Sequence, residues 1–467
     1  MSMTRVLWFR RDLRIHDNPA LVDATEAAWA DGDGVVIPLV LIDPHLWPTW
    51  GAPKQAYLID SLRSLDESLG GNLLIRHGSA RDVIPAVAAQ FQARGVHFAG
   101  DYTDVGIARD DAIRTSLTDM GVEFIQTGSG YAVAPGRVTK DDQTSYKVYT
   151  PFYKTWLKHG WRQPAADPSR WPIWATPDTC DGYPDRPDVD FALPVAGEQA
   201  ALDRFEWFLE NAAAHYNENR NRPDVDGTSR LSIALKWGEI HPRTLLARLD
   251  ESPGHEVFRK EIAWREFYAD VLFNRQDTAK DYFNPLYKQM RYDTGPDADA
   301  RFLAWCQGRT GFPFVDAGMR QLNQEGWMHN RVRMVVASFL VKDLHLEWTR
   351  GADYFFDKLL DGDVASNSHG WQWTAGCGTD ASPYYRVFNP IGQGQKYDPD
   401  GEYIRKYIPE LRHVDNKSIH EPWTTLDGLT AGYPAPIVDH AIERHEALAR
   451  LAELPKGAQK PLYPQDT

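Results

Sequence analysis

Cysteine is scarce. The 467 residues hold three, Cys180, Cys306 and Cys377. They are far apart and show no paired metal-ligand spacing, which argues against a zinc site and fits a reduced, cytoplasmic setting. Long hydrophobic runs are missing too. No stretch of ~18 apolar residues occurs, so no membrane span is expected. The opening MSMTRVLWFRRDLRIHD lacks the apolar core of a signal peptide. Positive charge is in deficit, with 51 Lys and Arg against 65 Asp and Glu, a net −14. That balance speaks against indiscriminate nucleic-acid binding. A local basic patch stays compatible with it, because screening limits repulsion beyond roughly 8–10 Å. Internal repeats and low-complexity tracts are absent.

What is abundant is aromatic: 12% of residues, 17 of them tryptophan. The length exceeds what one hydrophobic core usually supports, so two domains are expected. From residue 4 to about 126, short apolar runs (Arg5 to Phe9, Val35 to Ile42, Asn72 to Arg76, Val96 to Ala99, Val122 to Ile125) alternate with amphipathic segments. The latter run Ala20 to Ala30, Lys54 to Leu69, Ala80 to Gln92 and Ile107 to Met120. Alternation of this kind predicts a doubly wound α/β domain with a parallel sheet over residues 1–130. Such a sheet binds ligands beyond the carboxyl ends of its strands. Yet the first strand is followed by RRDLRIHDNPAL and not by G-x-G-x-x-G, which weakens a dinucleotide-dehydrogenase reading. Arg10, Arg11 and Arg14 in that loop either hold an anion or lie in solvent.

Residues 131–195 read as an interdomain linker, rich in Pro, Asp and Trp from Gln163 to Pro194. From 196 to 455 the helical period dominates and predicts an all-α domain. Its segments include Glu198 to Arg220, Glu256 to Asn274, Asp316 to Glu325, Arg331 to Leu346 and Ala352 to Leu360. Residues 456–467 are polar and read as a loose tail.

Three stretches carry candidate chemistry. Between Tyr216 and Ser232, Thr228, Ser229 and Ser232 gather hydroxyls and backbone N–H groups at a helix start, which suits either a phosphate site or an ordinary N-cap. In EIAWREFY, Glu261, Trp264 and Arg265 share one helix face. There they form a nucleobase site, in which the ring stacks and the carboxylate bonds the base edge, or a Glu–Arg pair beside a core tryptophan. The stretch from Trp327 to Trp373 contains Trp327, Trp348, Trp371 and Trp373 together with Asn330, Arg333, Met334, Asp361, Asp363 and Asn367. It is either a large core with internal ion pairs or the wall of a cofactor cavity.

Together these stretches resemble the photolyase/cryptochrome family. LWFRRDLRIHDNPAL (7–21), DGTSRLS (226–232), WREFY (264–268), WMHNRVRM (327–334) and DGDVASNSHGWQW (361–373) match its signatures in order over nearly the whole chain. His329-Asn330 resembles the bacterial class I branch that acts on cyclobutane pyrimidine dimers. The branch acting on (6-4) photoproducts carries paired histidines there, and plant-type cryptochromes depart at the positions of Trp264 and Asn367. The resemblance implies light-driven dimer splitting in DNA by electron transfer from excited, reduced FAD. It implies that Tyr216, Thr228, Ser229, Arg230, Leu231, Ser232, Arg265, Asn330, Arg333, Asp361, Gly362, Asp363 and Asn367 hold FAD. Glu261, Trp264, Asn330, Arg331, Met334, Trp373 and Gln393 would contact the damaged DNA, and Trp371, Trp348 and Trp305 would carry electrons from flavin to surface. Arg331, Arg386, Lys396 and the region of Arg220 and Arg222 are candidates for a basic face on the acidic body.

The family also implies an antenna chromophore in the first domain. Folate-type members carry an Asn-Glu pair where this chain has Gly106-Ile107. That departure favours an 8-hydroxydeazaflavin over folate, with Arg11, Asp43, Lys54 and Asp101 around it. No metal, membrane or obligate protein partner is implied, and a cytoplasmic monomer is expected. Two other readings remain: a flavin photoreceptor on the same fold, which binding of dimer-containing DNA would set apart, and a nucleotide-binding α/β protein without photochemistry, which lack of flavin would mark.

Overall fold

The computed structural model describes residues 4–175, 179–379 and 385–455. The expected loose tail, 456–467, lies outside them. Chain contacts divide the molecule into two units, one of Met1–Tyr146, Pro151–Asn211 and Ser229–Gln276, the other of Lys147–Thr150, Ala212–Thr228 and Asp277–Thr467.

The first unit is built on a parallel sheet of β1 (Arg5–Phe9), β2 (Val35–Ile42), β3 (Leu74–His77), β4 (Gly95–Gly100) and β5 (Glu123–Ser129), in the order β3-β2-β1-β4-β5. The register sets Val6 beside Ile37 on one side and Val96 on the other. All five residues of β1 are buried, as expected of a central strand covered on both faces. Helices Pro19–Asp31, Ala52–Ser68, Ala80–Gln90 and Asp104–Asp119 make the crossovers. The first starts where Asn18 accepts from the Leu21 N–H and Pro19 presets φ. Val6, Trp8, Ile37, Leu39, Val96, Phe98 and Ile113 form the core beneath them; each such burial contributes about 1.5–3 kcal/mol before entropy. The chain leaves β1 to one side and enters β4 on the other, so the strand order reverses between these two, where open α/β sheets bind ligands. One addition falls in the expected linker: Ile173–Trp174 pairs parallel with the start of β2. A helix, Tyr149–His159, also lies within 131–195.

The same unit contains helices Glu198–Asn211, Ser232–Trp237, Pro242–Leu246 and Pro253–Asn274. The helix expected to run to Arg220 ends at Asn211, whose side chain turns back onto the Trp207 carbonyl before Ala212 leaves helical geometry.

The second unit is helical: Pro296–Cys306, Pro313–Glu325, Asn330–Lys342, Trp348–Lys358, Val364–Ala375, Pro390–Tyr397, Glu402–Tyr407 and His440–Glu453. Val332, Val336, Leu340, Trp305, Phe355 and Trp371 belong to one core. The helix expected over Arg331 to Leu346 stops at Lys342 because Asp343 is bound by His440 at 2.5 Å and His345 takes a left-handed φ of 54°. The helix Val364–Ala375 has no strong apolar stripe to announce it. It is fixed at its start by Asp363, which accepts from the Ser366 N–H at 3.1 Å.

Candidate active site

In the first unit, the helix Pro253–Asn274 buries Phe258, Ile262, Ala263, Glu266, Phe267 and Asp270. Glu261, Trp264, Arg265 and Tyr268 are left on a partly exposed face at i, i+3, i+4 and i+7. Trp264 sits 5.4 Å from the Tyr268 ring and 5.6 Å from Phe267, which fixes its plane while one side stays accessible. Arg265 donates to the carbonyls of Gly130 at 2.8 Å and Leu235 at 3.1 Å and lies 4.6 Å from the Tyr131 ring centre. Glu266, opposite, accepts from the Trp156 indole at 2.6 Å and from the Ala132 and Val133 N–H groups; burial raises its carboxyl to about 7.

The helix Ser232–Trp237 has Leu231 at its N-cap position, and the Ser229 hydroxyl accepts from the Leu231 N–H at 3.4 Å. Arg230 holds a left-handed φ of 56°, costly for a side-chain-bearing residue by roughly 1–3 kcal/mol and typical of ligand sites. Arg204 donates to the Ser229 carbonyl at 2.9 Å and pins this turn.

The loop after β1 answers neither expectation for two of its arginines. Arg10 makes a double contact with Asp110, 2.9 Å to each oxygen, and lies 4.7 Å from Trp8 and 4.8 Å from Phe98. Arg14 is buried on the carbonyls of Gly238 and Asp17. Both cations are held inside the protein, Arg10 by Asp110 100 residues away and Arg14 in part by Gly238 224 residues away. Of the four antenna candidates, Arg11 and Asp101 meet electrostatically. Burial would raise the Asp101 carboxyl, but Arg10, Arg109 and Arg11 outweigh it and hold it below its ordinary value. Asp43 accepts from the His45 N–H within its own loop, and Lys54 is 1% exposed inside its helix. The Asp101 carboxylate also explains Gly106: a Cβ there would fall 2.3 Å from its Cγ.

In the second unit, the first turn of Asn330–Lys342 carries Asn330, exposed, and Arg331, Arg333 and Met334, half-buried. Arg333 forms a forked pair with Asp361, 3.2 and 2.8 Å, and donates to the Met328 carbonyl at 2.8 Å. Such two-point pairing fixes the guanidinium plane. Arg331 donates twice to Asn221 Oδ1, at 3.1 and 2.8 Å, and lies over the Tyr397 ring. Gly362 is buried in the turn that follows Asp361. Tyr216 is buried, with Arg220 6.0 Å from its ring centre, and Thr228 is half-buried.

The helix Val364–Ala375 packs against Asn330–Lys342 and Trp348–Lys358. Asn367, Gly370 and Trp373 lie on its partly exposed face, while Ser368, His369, Trp371 and Gln372 are buried. The Asn367 amide nitrogen donates to the Ala352 carbonyl at 2.9 Å, which fixes the direction of its carboxamide. A Cβ on Gly370 would meet nothing within 4 Å, so the space between Asn367 and Trp373 is open. A planar, polar-edged ring such as a flavin fits this donor set of guanidinium, carboxamide and carboxylate beside an open helix face. The buried Trp371 ring lies 6.1 Å from Trp305 and 5.0 Å from Phe355.

One expectation needs correction. Trp305 does not end at the surface: it is 0% exposed, its indole bonded to the Val336 carbonyl at 3.0 Å. Trp348 is equally buried, and its indole N–H has no hydrogen-bond acceptor among the described residues. Its ring neighbour is Tyr282, at 5.8 Å. Gln393 also buries its Oε1, which has no hydrogen-bond partner among the described residues. The sequence reading missed Tyr282 and Glu347, which bind each other from 65 residues apart, and Asp110, which binds Arg10 from 100 residues away; such pairs leave no local pattern.

Two family models match, "DNA photolyase" over residues 5–169 and "FAD binding domain of DNA photolyase" over 258–453. The deoxyribodipyrimidine photo-lyase of Escherichia coli is 38% identical over 97% of this chain and 99% of its own length. The structure of a bacterial class III photolyase from Agrobacterium tumefaciens superposes with a TM-score of 0.87 at 37% identity, covering 97% of this chain and 98% of that one. An archaeal photolyase from Sulfolobus tokodaii, solved with two FAD molecules, gives 0.84 at 29% identity over 97% and 100%. With both stretches matched by the family's own models and the similarity running nearly end to end, the chain belongs to the DNA photolyase family.

Proposed function

We propose that the protein repairs cyclobutane pyrimidine dimers in DNA, using light, as a deoxyribodipyrimidine photo-lyase. The observation that carries this is the helix Val364–Ala375. Its open face bears Asn367 and Trp373, its start is fixed by Asp363, and its buried side puts Trp371 into ring contact with further aromatics. One helix thus serves cofactor, substrate and electron supply.

FAD, when bound, reduced and excited, supplies the electron that splits the dimer and takes it back; the protein positions and tunes it. Arg333, whose guanidinium plane is fixed by Asp361, would hold the flavin together with Asp363, Asn367 and the Gly362 backbone. Tyr216, Thr228, Ser229, Arg230, Leu231 and Ser232 would hold its phosphates and ribityl chain, with Arg265 and Asn330 as further FAD-binding residues. Photolyases extrude their target from the duplex, and a poorly stacked dimer lowers that cost by an amount of order a few kcal/mol. Trp264 and Trp373 stack on the extruded bases and Glu261 accepts from their edge. Asn330, Arg331, Met334 and Gln393 line the contact. Arg331, Arg386, Lys396 and Arg222 supply phosphate contacts that an acidic protein otherwise lacks. The FAD and DNA sites fall in 196–455, and 1–130 houses the antenna.

For the antenna we favour an 8-hydroxydeazaflavin. The support is Gly106-Ile107 in place of the Asn-Glu pair of folate-type members, with the Asp101 carboxylate packed against Gly106. The protein acts on UV-damaged DNA as a cytoplasmic monomer. No helix among the described residues is long and apolar enough to cross a membrane.

The deciding measurement is recovery of pyrimidine absorbance from a UV-damaged oligonucleotide by reduced protein under blue light. Equal recovery in darkness, or none under light, would overturn the proposal; binding of the damaged DNA without light-dependent splitting would point to a photoreceptor.

A further inference from the structure

The buried ends of the tryptophan path raise the question of where an electron enters. Trp348 starts the helix Trp348–Lys358, one turn before Gly351. Gly351 lies against Trp371 so closely that a Cβ would fall 2.2 Å from its ring. The backbone of Trp348 therefore lies about one helical turn, ~5 Å of rise, from the glycine that Trp371 touches. Two routes lead from this point, one by ring contacts from Trp371 and one along the helix that carries Gly351. One passes through Trp305 to Tyr354 at 5.8 Å, whose hydroxyl donates to the Asn323 amide oxygen at 2.7 Å. The other passes along the helix through Trp348 to Tyr282 at 5.8 Å, whose hydroxyl donates to Glu347 Oε1 at 2.8 Å.

The acceptors decide between them. An oxidised phenol is a strong acid and is formed readily where a base takes its proton as the electron leaves. A carboxylate is such a base; a side-chain amide is not. The Trp348 N–H has no acceptor among the described residues, so an oxidised Trp348 keeps its proton and stays a strong oxidant. Burial, with Glu347 behind it, holds the Tyr282 phenol protonated well above its ordinary value, so it meets the oxidised indole with its proton in place. Tyr282 is 6% exposed and Glu347 half-buried, which gives the proton a way out while the ring stays dry. Tyr292 shares a hydrogen bond with the Tyr282 hydroxyl and completes a short polar chain.

We propose that Tyr282, with Glu347 as its proton acceptor, is the terminal electron donor of this protein. The step balances. Tyr282 gives one electron to the Trp348 radical cation and its phenolic proton to the Glu347 carboxylate. Neutral Trp348, a neutral tyrosyl radical and a carboxylic acid result, and an external thiol or similar one-electron reductant later restores the tyrosine. This inference rests on the flavin reading above.

The test is electron paramagnetic resonance of the flavin-loaded, oxidised protein frozen under illumination, prepared with ring-deuterated tyrosine to identify the radical. The wild type should show a neutral tyrosyl signal that narrows on deuteration. The signal should vanish in Tyr282→Phe and persist in Tyr354→Phe. In Glu347→Gln it should weaken, and the dependence of its formation rate on solvent deuterium should be lost. Melting curves verify that each variant is folded. A signal unchanged in Tyr282→Phe, one lost in Tyr354→Phe, or a wild type showing tryptophanyl radical alone would overturn the assignment. Dimer splitting by chemically pre-reduced samples of the same preparations separates the two claims. Splitting without a Tyr282 radical removes this inference and leaves the function standing. A Tyr282 radical without splitting does the reverse.

Discussion

At the scale of single residues, buried polar groups settle what each side chain is for. Trp264 keeps one partly exposed side, so its loss should be read in binding: Trp264→Ala is expected to weaken association with dimer-containing DNA by about 1–3 kcal/mol, measured by titration against undamaged DNA. Trp371 is the buried aromatic on the helix that carries Asn367. Trp371→Phe preserves most of the volume but replaces an easily oxidised ring with a resistant one. It should abolish photoreduction of the oxidised protein and spare repair by chemically pre-reduced protein. Photoreduction at the wild-type rate would show that electrons reach the flavin by another route. Neither residue announces its task by type. Seventeen tryptophans look alike in the sequence, and burial separates the partly exposed Trp264 and Trp373 from the buried Trp305, Trp348 and Trp371.

At the scale of the element, the helix Val364–Ala375 owes its position to its start and to one neighbour. Asp363 closes its N-terminus by accepting from Ser366. Asp363→Ala should cost about 0.5–2 kcal/mol, measured by urea unfolding of flavin-free protein so that lost cofactor contacts do not contribute. The neighbour is Gly351. A methyl there would meet the Trp371 ring at 2.2 Å and Leu340 Cδ2 at 2.5 Å. Gly351→Ala should destabilise by about 1–3 kcal/mol through overpacking. Because the ring must move to relieve the clash, photoreduction should slow as well, and a variant with unchanged stability and unchanged photoreduction would show that the two helices yield without cost.

At the scale of the molecule, acid stability follows from histidines buried in each unit. Burial pushes His241 and His369 down to about 4. The unfolded chain binds protons at these positions below about 6.5, the folded chain only near 4, so each contributes stability that is lost as pH falls through that window. One such group accounts for about 2 kcal/mol between pH 7 and pH 5. Urea midpoints of wild type and His369→Gln should therefore converge as the pH is lowered from 7 to 5; a constant gap would mean that the histidine titrates normally. Buried acids act in the opposite sense. Asp398, raised to about 7 by burial, favours the folded state most when protonated and loses that contribution as pH rises from about 4 to 7. The single-group comparison is needed for that reason.

Much of this architecture is local in origin and was legible along the chain. β1 and β2 follow from continuous apolar runs. The crossover helices follow from their periodicity, and the shared face of Glu261, Trp264 and Arg265 from spacing of three and four residues on a helix. The family resemblance also set Arg333 and Asp361 in one site, and the two pair. Long-range pairing was not legible. Asp110 claims Arg10 from 100 residues away, so an arginine that looks like an anion site is instead an internal strut. Asn211 ends a helix whose apolar period continues, because its side chain competes for a carbonyl. Trp305 reads as a route to solvent, yet other aromatics surround it completely, while Tyr282 and Glu347, 65 positions apart, meet across a turn of backbone that no pattern encodes. Period and propensity act between neighbours in the chain; burial, and the partner a buried polar group must find, are set by neighbours in space.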